Sequence, residues 1–469
     1  MGIKGKTTFE LTDVNTGEVE VIEDNNMITN GLQEFLTTYG LFGCDILGGD
    51  LRTSQLWCNL LGGLFLFDTA LDENVDNTFM PAGVKMVGNG SYKMSNSGDV
   101  TEMGSYNESE SGVQDDGSIR MVYDFSTQQA NGTIACACLT SKIGGYAGMG
   151  NESAKYYNKG YILNYFLGDI CYGGITGADT DFNHVLYASY GENAIYCTNP
   201  YNLTYSAETA DQHWSVTGKI QILKVRAGFN SVDIKESCYF KQVMESYEVD
   251  IPQDILAYMG TKTNYTIFSS DGMERNIFII FCTNSSSYVN NGVSFWVMKI
   301  DKDMNVTSYK VTNNTGTRIN VSRKYITFDG DYLWTNDYSN GGLLGIKYAD
   351  STQIVETPVN RTSFCYLYKI SKNLIGVGNG DNHYTVYDAV NNTERLVNGE
   401  TNSYQYYNYI PFADKKGVYM IINTSHSKQY KYEIMKDPRY LATINNLPEP
   451  VVKTASKTMK VTYTLTFEG

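Results

Sequence analysis

The sequence predicts a mainly β protein, with a small α/β base domain plus a β-propeller-like domain of about six degenerate blades. Among the 469 residues, tyrosine (38) and glycine (44) are abundant and proline (8) is scarce. Tyr, Thr, Val and Ile recur in short runs between turn residues, which is typical of β-strands. A hairpin pattern recurs at near-regular spacing through the middle of the chain, and amphipathic strand patterns occupy both ends.

The chain begins with a predicted hairpin. Residues 6–22 alternate between polar and apolar side chains around a turn at Asn15-Thr16-Gly17. The inward-facing candidates are Phe9, Leu11, Val19 and Val21.

The period then changes to that of a helix. Residues 26–39 place Leu32, Phe35, Leu36 and Tyr39 on one face, with Thr29 or Asn30 as the cap. A second helix is predicted at 51–61. Further strands are predicted at 64–69, 118–125 and 132–140, before a boundary loop at 144–151.

The blade pattern is clearest in residues 325–348. Asp329-Gly330 is a two-residue hairpin signal between apolar runs, and Asn340-Gly341-Gly342 marks the next turn. With a fourth strand at 353–357, four short strands fit into roughly 35 residues, which is the size of one propeller blade.

Looser versions of this pattern occur at 265–300, 363–388 and 406–435. The third strands end near Ile300, Tyr348, Tyr387 and Ile434, so their spacings are 48, 39 and 47 residues. Propeller blades repeat at about 40–50 residues. Strand candidates at 185–197, 219–226 and 237–249 would supply two more blades. The alternative is an irregular β-sandwich with chance spacing.

The chain ends in a predicted long strand. Pro448-Glu449-Pro450 is predicted to be a short stiff linker. In residues 457–467, apolar side chains alternate strictly with Lys or Thr, so the strand needs a partner. We expect it to return to the first domain. The predicted organisation is a base domain at 1–154, an inserted propeller-like domain at 155–445 and a returning strand at 446–469.

Charge and apolar runs exclude two classes of partner. The net charge is −15 and no run of Lys or Arg occurs, which argues against nucleic-acid binding. The longest apolar run, residues 56–67, is too short to cross a bilayer, so no membrane insertion is expected.

The cysteines indicate a reducing compartment. Nine cysteines occur, with no CxxC pair, which predicts buried free thiols and not a disulfide framework or zinc site. The first residues lead straight into a strand without a secretory signal, so we expect folding in the cytoplasm.

No residue pattern predicts catalysis, a metal site or a cofactor. The histidines stand alone, at His184, His213, His383 and His426. Asp301 opens a run that mimics a calcium loop, but Val306 replaces the required glycine, so a blade turn is predicted. The carboxylate pairs that a glycan hydrolase would need are Asp179 with Asp181, or Asp329 with Asp331. Such pairs are common by chance among 51 acidic residues, so we predict no enzyme.

Three stretches resemble virion structural proteins of tailed bacteriophages, especially gut-associated ones. They are K-G-K-T-T-F-E-L-T-D-V-N-T-G-E-V-E-V-I-E-D-N-N-M-I-T-N-G-L at 4–32, G-G-L-F-L-F-D-T at 62–69, and the glycine-rich segments within 86–140. The resemblance implies a tail, baseplate or fibre role, without catalytic residues. The F-D-G-x-Y-L-W motif at 328–334 separately resembles the blade hairpins of known propeller families.

We therefore expect a virion protein that docks through its base and displays its propeller for host-surface recognition or virion contacts. Expected partners are other virion proteins, copies of the chain itself, and a host cell-surface glycan or protein. Tyrosine suits such surfaces because it buries a large area at small entropic cost. The candidate binding residues are Tyr156, Tyr157, Tyr404, Tyr406 and Tyr407. The alternatives are a virion-associated polysaccharide depolymerase and a non-viral cytosolic scaffold.

Overall fold

The computed structural model describes most of both predicted domains. The described residues are 2–34, 60–96, 100–147, 161–166, 185–189, 192, 194–198, 204–205, 214–215, 218–226, 243–260, 265–283, 287–322, 325–338, 342–359, 365–379, 383–398, 409–415, 417–423, 432–436 and 439–468.

In the first part of the chain, the described residues form antiparallel strands and two short helices. In chain order the elements are β1 (Gly2–Asp13), β2 (Val19–Ile28), α1 (Asn30–Glu34), β3 (Gly63–Phe67), β4 (Met86–Ser91), β5 (Ser105–Tyr106), β6 (Gly112–Val113), β7 (Ile119–Phe125), β8 (Gly132–Thr140) and α2 (Lys142–Ala147).

In the middle of the chain, the described residues form short strands and one helix. The elements are β9 (Tyr161–Phe166), β10 (Val185–Ser189), β11 (Ala194–Thr198), β12 (Thr204–Tyr205), β13 (Trp214–Ser215), β14 (Lys219–Arg226), β15 (Val243–Asp250), α3 (Gln253–Met259), β16 (Tyr265–Asp271), β17 (Asn276–Cys282), β18 (Tyr288–Val289), β19 (Ser294–Ile300), β20 (Val306–Thr312), β21 (Ile319–Asn320), β22 (Ile326–Asp329), β23 (Tyr332–Asp337), β24 (Leu343–Lys347), β25 (Ile354–Glu356), β26 (Cys365–Ser371), β27 (Leu374–Asn379), β28 (His383–Asp388), β29 (Thr393–Asn398), β30 (Tyr409–Asp414), β31 (Gly417–Asn423) and β32 (Tyr432–Lys436).

These strands build a ring of five blades within the described residues. The blades have the strand orders β10-β11-β14-β15, β16-β17-β19-β20, β22-β23-β24-β25, β26-β27-β28-β29 and β30-β31-β32-β9. The first-named strands lie innermost: β10, β16, β22, β26 and β30 each contact the next, and β30 contacts β10. The last blade takes its outermost strand, β9, from the start of the domain, so hydrogen bonds between the two chain ends close the ring.

The predicted mainly β fold is confirmed, and the blade hairpins lie where the turn signals indicated. The loop between β22 and β23 is Gly330-Asp331, and Gly330 has a φ of +57°, which favours glycine. The ring has five blades where the sequence predicted about six. Within its described residues the early segment supplies one complete blade, because β9 joins the last blade and β12 pairs with β13.

The chain end completes the first domain with β33 (Thr443–Lys453) and β34 (Lys457–Glu468). β34 pairs with β1 along its whole length and with β7 on its other edge. The sheet order is β4-β3-β8-β33-β2-β1-β34-β7-β5, with β6 on β7. Asn89 of β4 donates its N–H to the Glu102 carbonyl and accepts from the Gly104 N–H, both at 2.8 Å, beside β5. The sheet is therefore a nearly closed barrel.

The predicted linker at 448–450 is wrong, because Pro448 and Pro450 lie inside β33. The pairing of β33 with β8 shifts register between Asn446 and Val451. Proline is tolerated at such an irregularity because no ladder N–H is required there.

The barrel interior contains the alternating apolar side chains of β34 and β1, including Met459, Val461, Tyr463, Phe9 and Leu11. The inward prediction for Val19 and Val21 is wrong, since these side chains are 56% and 55% exposed. The turn after β1 sets a register that pairs Phe9 with Ile22 and Glu10 with Val21. Val21 therefore lies on the outer face with Glu10.

The first predicted helix is shorter at its start than expected. Residues up to Ile28 belong to β2, because Met27 and Ile28 pair with β33. Thr29 precedes α1, and its hydroxyl donates to the Leu441 carbonyl at 2.5 Å. Most of the second predicted helix, 51–61, lies outside the described residues.

An apolar contact joins the barrel to one end of the propeller. Phe65 and Phe67 of β3 belong to the same buried cluster as Ile370, Leu374 and Val386 of the fourth blade. The Gly83 N–H donates to Asp388 at 2.9 Å, and Lys415 pairs with Asp76 at 2.9 Å. We call this the base-facing end of the propeller and the opposite one the distal end.

Candidate functional site

The base-facing end gathers polar residues around the propeller axis. Every innermost strand ends there on a serine or an aspartate: Ser189, Asp271, Asp329, Ser371 and Asp414. Turns favour these residues because their side chains accept hydrogen bonds from nearby N–H groups. Asp271, for example, accepts from the N–H groups of Met273 and Glu274.

A buried ionic triad links three neighbouring blades at this end. The Lys369 ammonium on β26 lies 2.6 Å from an Asp271 carboxylate oxygen and 3.0 Å from an Asp329 oxygen. The side chains of all three are at most 2% exposed. With both carboxylates ionised, the triad would carry a net negative charge away from water, which is unfavourable.

The pKa directions follow from this arrangement. Burial raises the pKa of Asp271, against the opposing attraction of Lys369. Burial acts to lower the pKa of Lys369, but attraction to Asp271 and Asp329 is stronger in sum and raises it. The lysine therefore stays charged, and Asp271 is the carboxyl group whose ionisation is opposed.

A crevice of about 310 Å³ lies between the base domain and these turns. Its walls combine apolar side chains with a few charged ones, and the buried Ser371 hydroxyl finds no hydrogen-bond partner among the described residues. The crevice is lined by Asp76, Asn77, Thr78, Phe79, Met80, Pro81, Ala82, Met273, Ser371, Lys372, Asn373 and Gly417.

The distal end carries a cluster of two tyrosines and an arginine. The Arg318 guanidinium carbon lies 4.4 Å from the ring centre of Tyr288 and 4.7 Å from that of Tyr338. The two rings meet edge to face, with centroids 4.9 Å apart. We call Tyr288, Arg318 and Tyr338 the distal cluster. They lie at the ends of β18, β21 and β23 remote from the 330–331 hairpin, so they face away from the base domain.

The five tyrosines predicted to bind partners lie outside the described residues, as do Asp179 and Asp181. These tyrosines are Tyr156, Tyr157, Tyr404, Tyr406 and Tyr407. The two carboxylates of the other predicted pair lie in different environments, since Asp329 is buried in the triad and Asp331 is exposed.

The run at Asp301 that resembles a calcium-binding loop is a turn between β19 and β20. Its carboxylate accepts from the N–H groups of Asp303 and Asn305, both at 2.9 Å. Within the described part of the chain, no three His, Cys, Asp or Glu side chains are placed to hold a metal ion. In the same part, no helix is long and apolar enough to span a membrane.

Buried free thiols are found at three of the described cysteines. Cys136, Cys138 and Cys282 are buried and form no disulfide bond, and burial raises the pKa of Cys282 to about 12. Such thiols are poor nucleophiles at neutral pH.

Sequence reasoning missed the triad and the distal cluster. Asp329 was recognised as a turn signal and as a candidate for a carboxylate pair with Asp331, although a lysine among the apolar residues of β26 is a warning of a buried charge. The distal cluster joins three segments of two neighbouring blades, and no local pattern indicates it.

Comparisons with known proteins identify no family. No family model and no curated protein matches the chain. Among solved structures, a streptogramin B lyase has 12% identity and a TM-score of 0.27, over 80% of this chain and 94% of that one. The WD40 β-propeller domain of Doa1 has 11% identity and a TM-score of 0.25, over 79% and 96%. At these TM-scores, neither similarity carries an argument about function.

Proposed function

We propose that this protein is a structural component of a tailed-bacteriophage virion. In this proposal the barrel docks on the particle, and the propeller is displayed for host-surface recognition or for contact with other virion proteins. The chain is made in the host cytoplasm and resides in the virion, beside other virion proteins and copies of itself.

The observation that supports this proposal is the fixed orientation of the propeller on the barrel. Apolar packing around Phe67 and Leu374, with the Asp388 hydrogen bond, fixes one propeller end on the barrel. The distal end then has a set orientation relative to the barrel. A display protein benefits from such a joint because a preorganised binding face has less freedom to lose on binding.

Electron cryomicroscopy of the intact particle tests the proposal. We expect the barrel to contact other virion proteins and the distal end of the propeller to point outward. A chain that is missing from mature particles would overturn the virion assignment. If neighbouring virion proteins cover the distal end, the structural role would stand and the proposal of host recognition would be overturned.

Binding without catalysis is the second part of the proposal. Its support is the use of Asp329 in the triad and of Asp301 in a turn, which leaves neither carboxylate available for acid–base chemistry. Purified protein incubated with host-surface polysaccharide should release no new reducing ends. Release that a single Asp→Asn substitution abolishes would instead establish a depolymerase.

A further inference from the structure

The distal cluster holds a guanidinium group that lies beside two aromatic rings. Tyr288 and Tyr338 lie within cation–π distance of Arg318, and Tyr338 is 40% exposed. The two ring centres are only 4.9 Å apart, so both rings lie to one side of the guanidinium carbon. The N–H groups of the guanidinium point outward in the plane of the group, where only a hydrogen-bond acceptor can satisfy them.

The described part of the chain supplies no carboxylate for this cation. Arg318 forms no ion pair among the residues that the structure describes, and its Nε is buried there without a hydrogen-bond partner. The neighbouring carboxylate, Asp337, accepts from the Thr317 hydroxyl at 2.7 Å.

We propose that the distal cluster binds an acidic sugar, a uronic or sialic acid unit of a surface polysaccharide. The planar guanidinium would donate two parallel N–H···O bonds to the sugar carboxylate, a geometry that suits arginine better than lysine. Tyrosine rings pack against the C–H groups of a sugar ring, and their hydroxyls bond to its oxygens. This inference rests on the proposed recognition role and names its ligand.

Titration of the purified full-length protein with monosaccharides tests the inference by nuclear magnetic resonance or calorimetry. The probes are glucuronate, galacturonate and N-acetylneuraminate, with glucose as the neutral sugar and acetate as the bare carboxylate. We expect saturable binding of at least one acidic sugar, at least tenfold tighter than glucose or acetate. Equal binding of acetate would overturn the inference, because the site would then recognise any carboxylate. Absence of binding by all three acidic sugars would overturn it as well.

Variants locate the binding. Arg318→Met should weaken the binding of the acidic sugar at least tenfold, and Arg318→Lys should weaken it less, because the charge remains but the paired geometry is lost. Tyr338→Ala should also weaken binding while keeping the cation. The matched control is Arg120→Met, a barrel arginine beside Glu110, which should bind as the parent does. Thermal unfolding of each variant establishes that it is folded, and unchanged binding by folded Arg318→Met would place the sugar elsewhere.

The two proposals fail separately. A chain found in the virion that binds no acidic sugar would overturn only this inference. A chain that binds acidic sugar but is missing from the virion would overturn only the virion role.

Discussion

At the residue scale, Lys369 is the group on which the packing of three blades depends. Its ammonium lies within ion-pair distance of two carboxylates that have almost no access to water. Removing it leaves both charges buried without a cation, which costs far more than losing an exposed ion pair.

Lys369→Met should lower the free energy of unfolding by about 3–5 kcal/mol, measured by urea denaturation. Lys302→Met is the control, because the Lys302–Asp303 pair is largely exposed and should contribute little. Equal stability of the two variants would show that the triad is energetically unimportant.

The triad also predicts a pH effect through Asp271. Its pKa is raised in the folded state, so the folded protein binds this proton more tightly than the unfolded chain does. The stabilisation is complete below the unfolded pKa of the group and is lost as the pH rises through its folded pKa. Parent stability minus that of Asp271→Asn should therefore decrease with rising pH across this window. Denaturation series at several pH values measure the difference, and a difference that increased with pH would contradict the assignment.

The triad shows what sequence cannot supply at this scale. Asp271, Asp329 and Lys369 lie on three strands in three blades, and only the ring brings them together. The place of an aspartate in a turn depends on adjacent residues, so that part of its structure was predictable.

At the element scale, glycines opposite aromatic residues allow the blade strands to pack. Gly345 of β24 pairs with Trp334 of β23, and a Cβ added to Gly345 would lie 2.7 Å from the indole. Gly376 has the same relation to Tyr368 in the next blade. An indole that covers a glycine protects the backbone there from water.

Gly345→Ala should destabilise the protein by about 1–3 kcal/mol, because the buried indole must move. The control is Gly342→Ala, where the nearest atom to the added Cβ, the Val359 carbonyl oxygen, is 3.4 Å away. Urea midpoints of the two variants measure the contrast. A Gly345→Ala protein as stable as the Gly342→Ala protein would contradict it.

The positions of strands were predictable where the residues alternate along the chain. The pairing and orientation of those strands were less predictable. Strict alternation located β34, whose buried residues include Met459, Val461 and Leu465. The predicted inward orientation of Val21 was wrong because the register set by the turn, and not the apolar character of the side chain, decides which face the residue occupies. The Pro448–Pro450 prediction failed because an irregular strand can accommodate proline.

At the scale of the whole molecule, the contact between barrel and propeller should couple their unfolding. Leu374 is buried in the cluster that joins the domains. Leu374→Asp places a carboxylate in this apolar contact, which is strongly unfavourable. Calorimetry should then resolve separate barrel and propeller transitions, where the parent protein shows one. Lys415→Ala removes only a largely exposed ion pair and should leave the transition single. Two transitions in the parent would show that the domains are independent.

The blade number illustrates the limit of prediction at this scale. Spacing of hairpins along the chain indicated blades, but the count depended on which sheet each early strand joins. β9 is separated by most of the domain from its partner β32, so its place in the last blade could not be inferred from neighbouring residues.

This closing blade also determines how the propeller would respond to mechanical force. β9 and β32 are antiparallel, with Tyr161 opposite Lys436 and Phe166 opposite Tyr432. The chain enters β9 and leaves β32 at the same end of the pair. A force that separates the two chain crossings at this end would therefore load the hydrogen bonds of this pair one after another, as in unzipping, and not all together in shear. Unzipping resists little force, so the ring stays closed under load while the barrel holds the two crossings side by side.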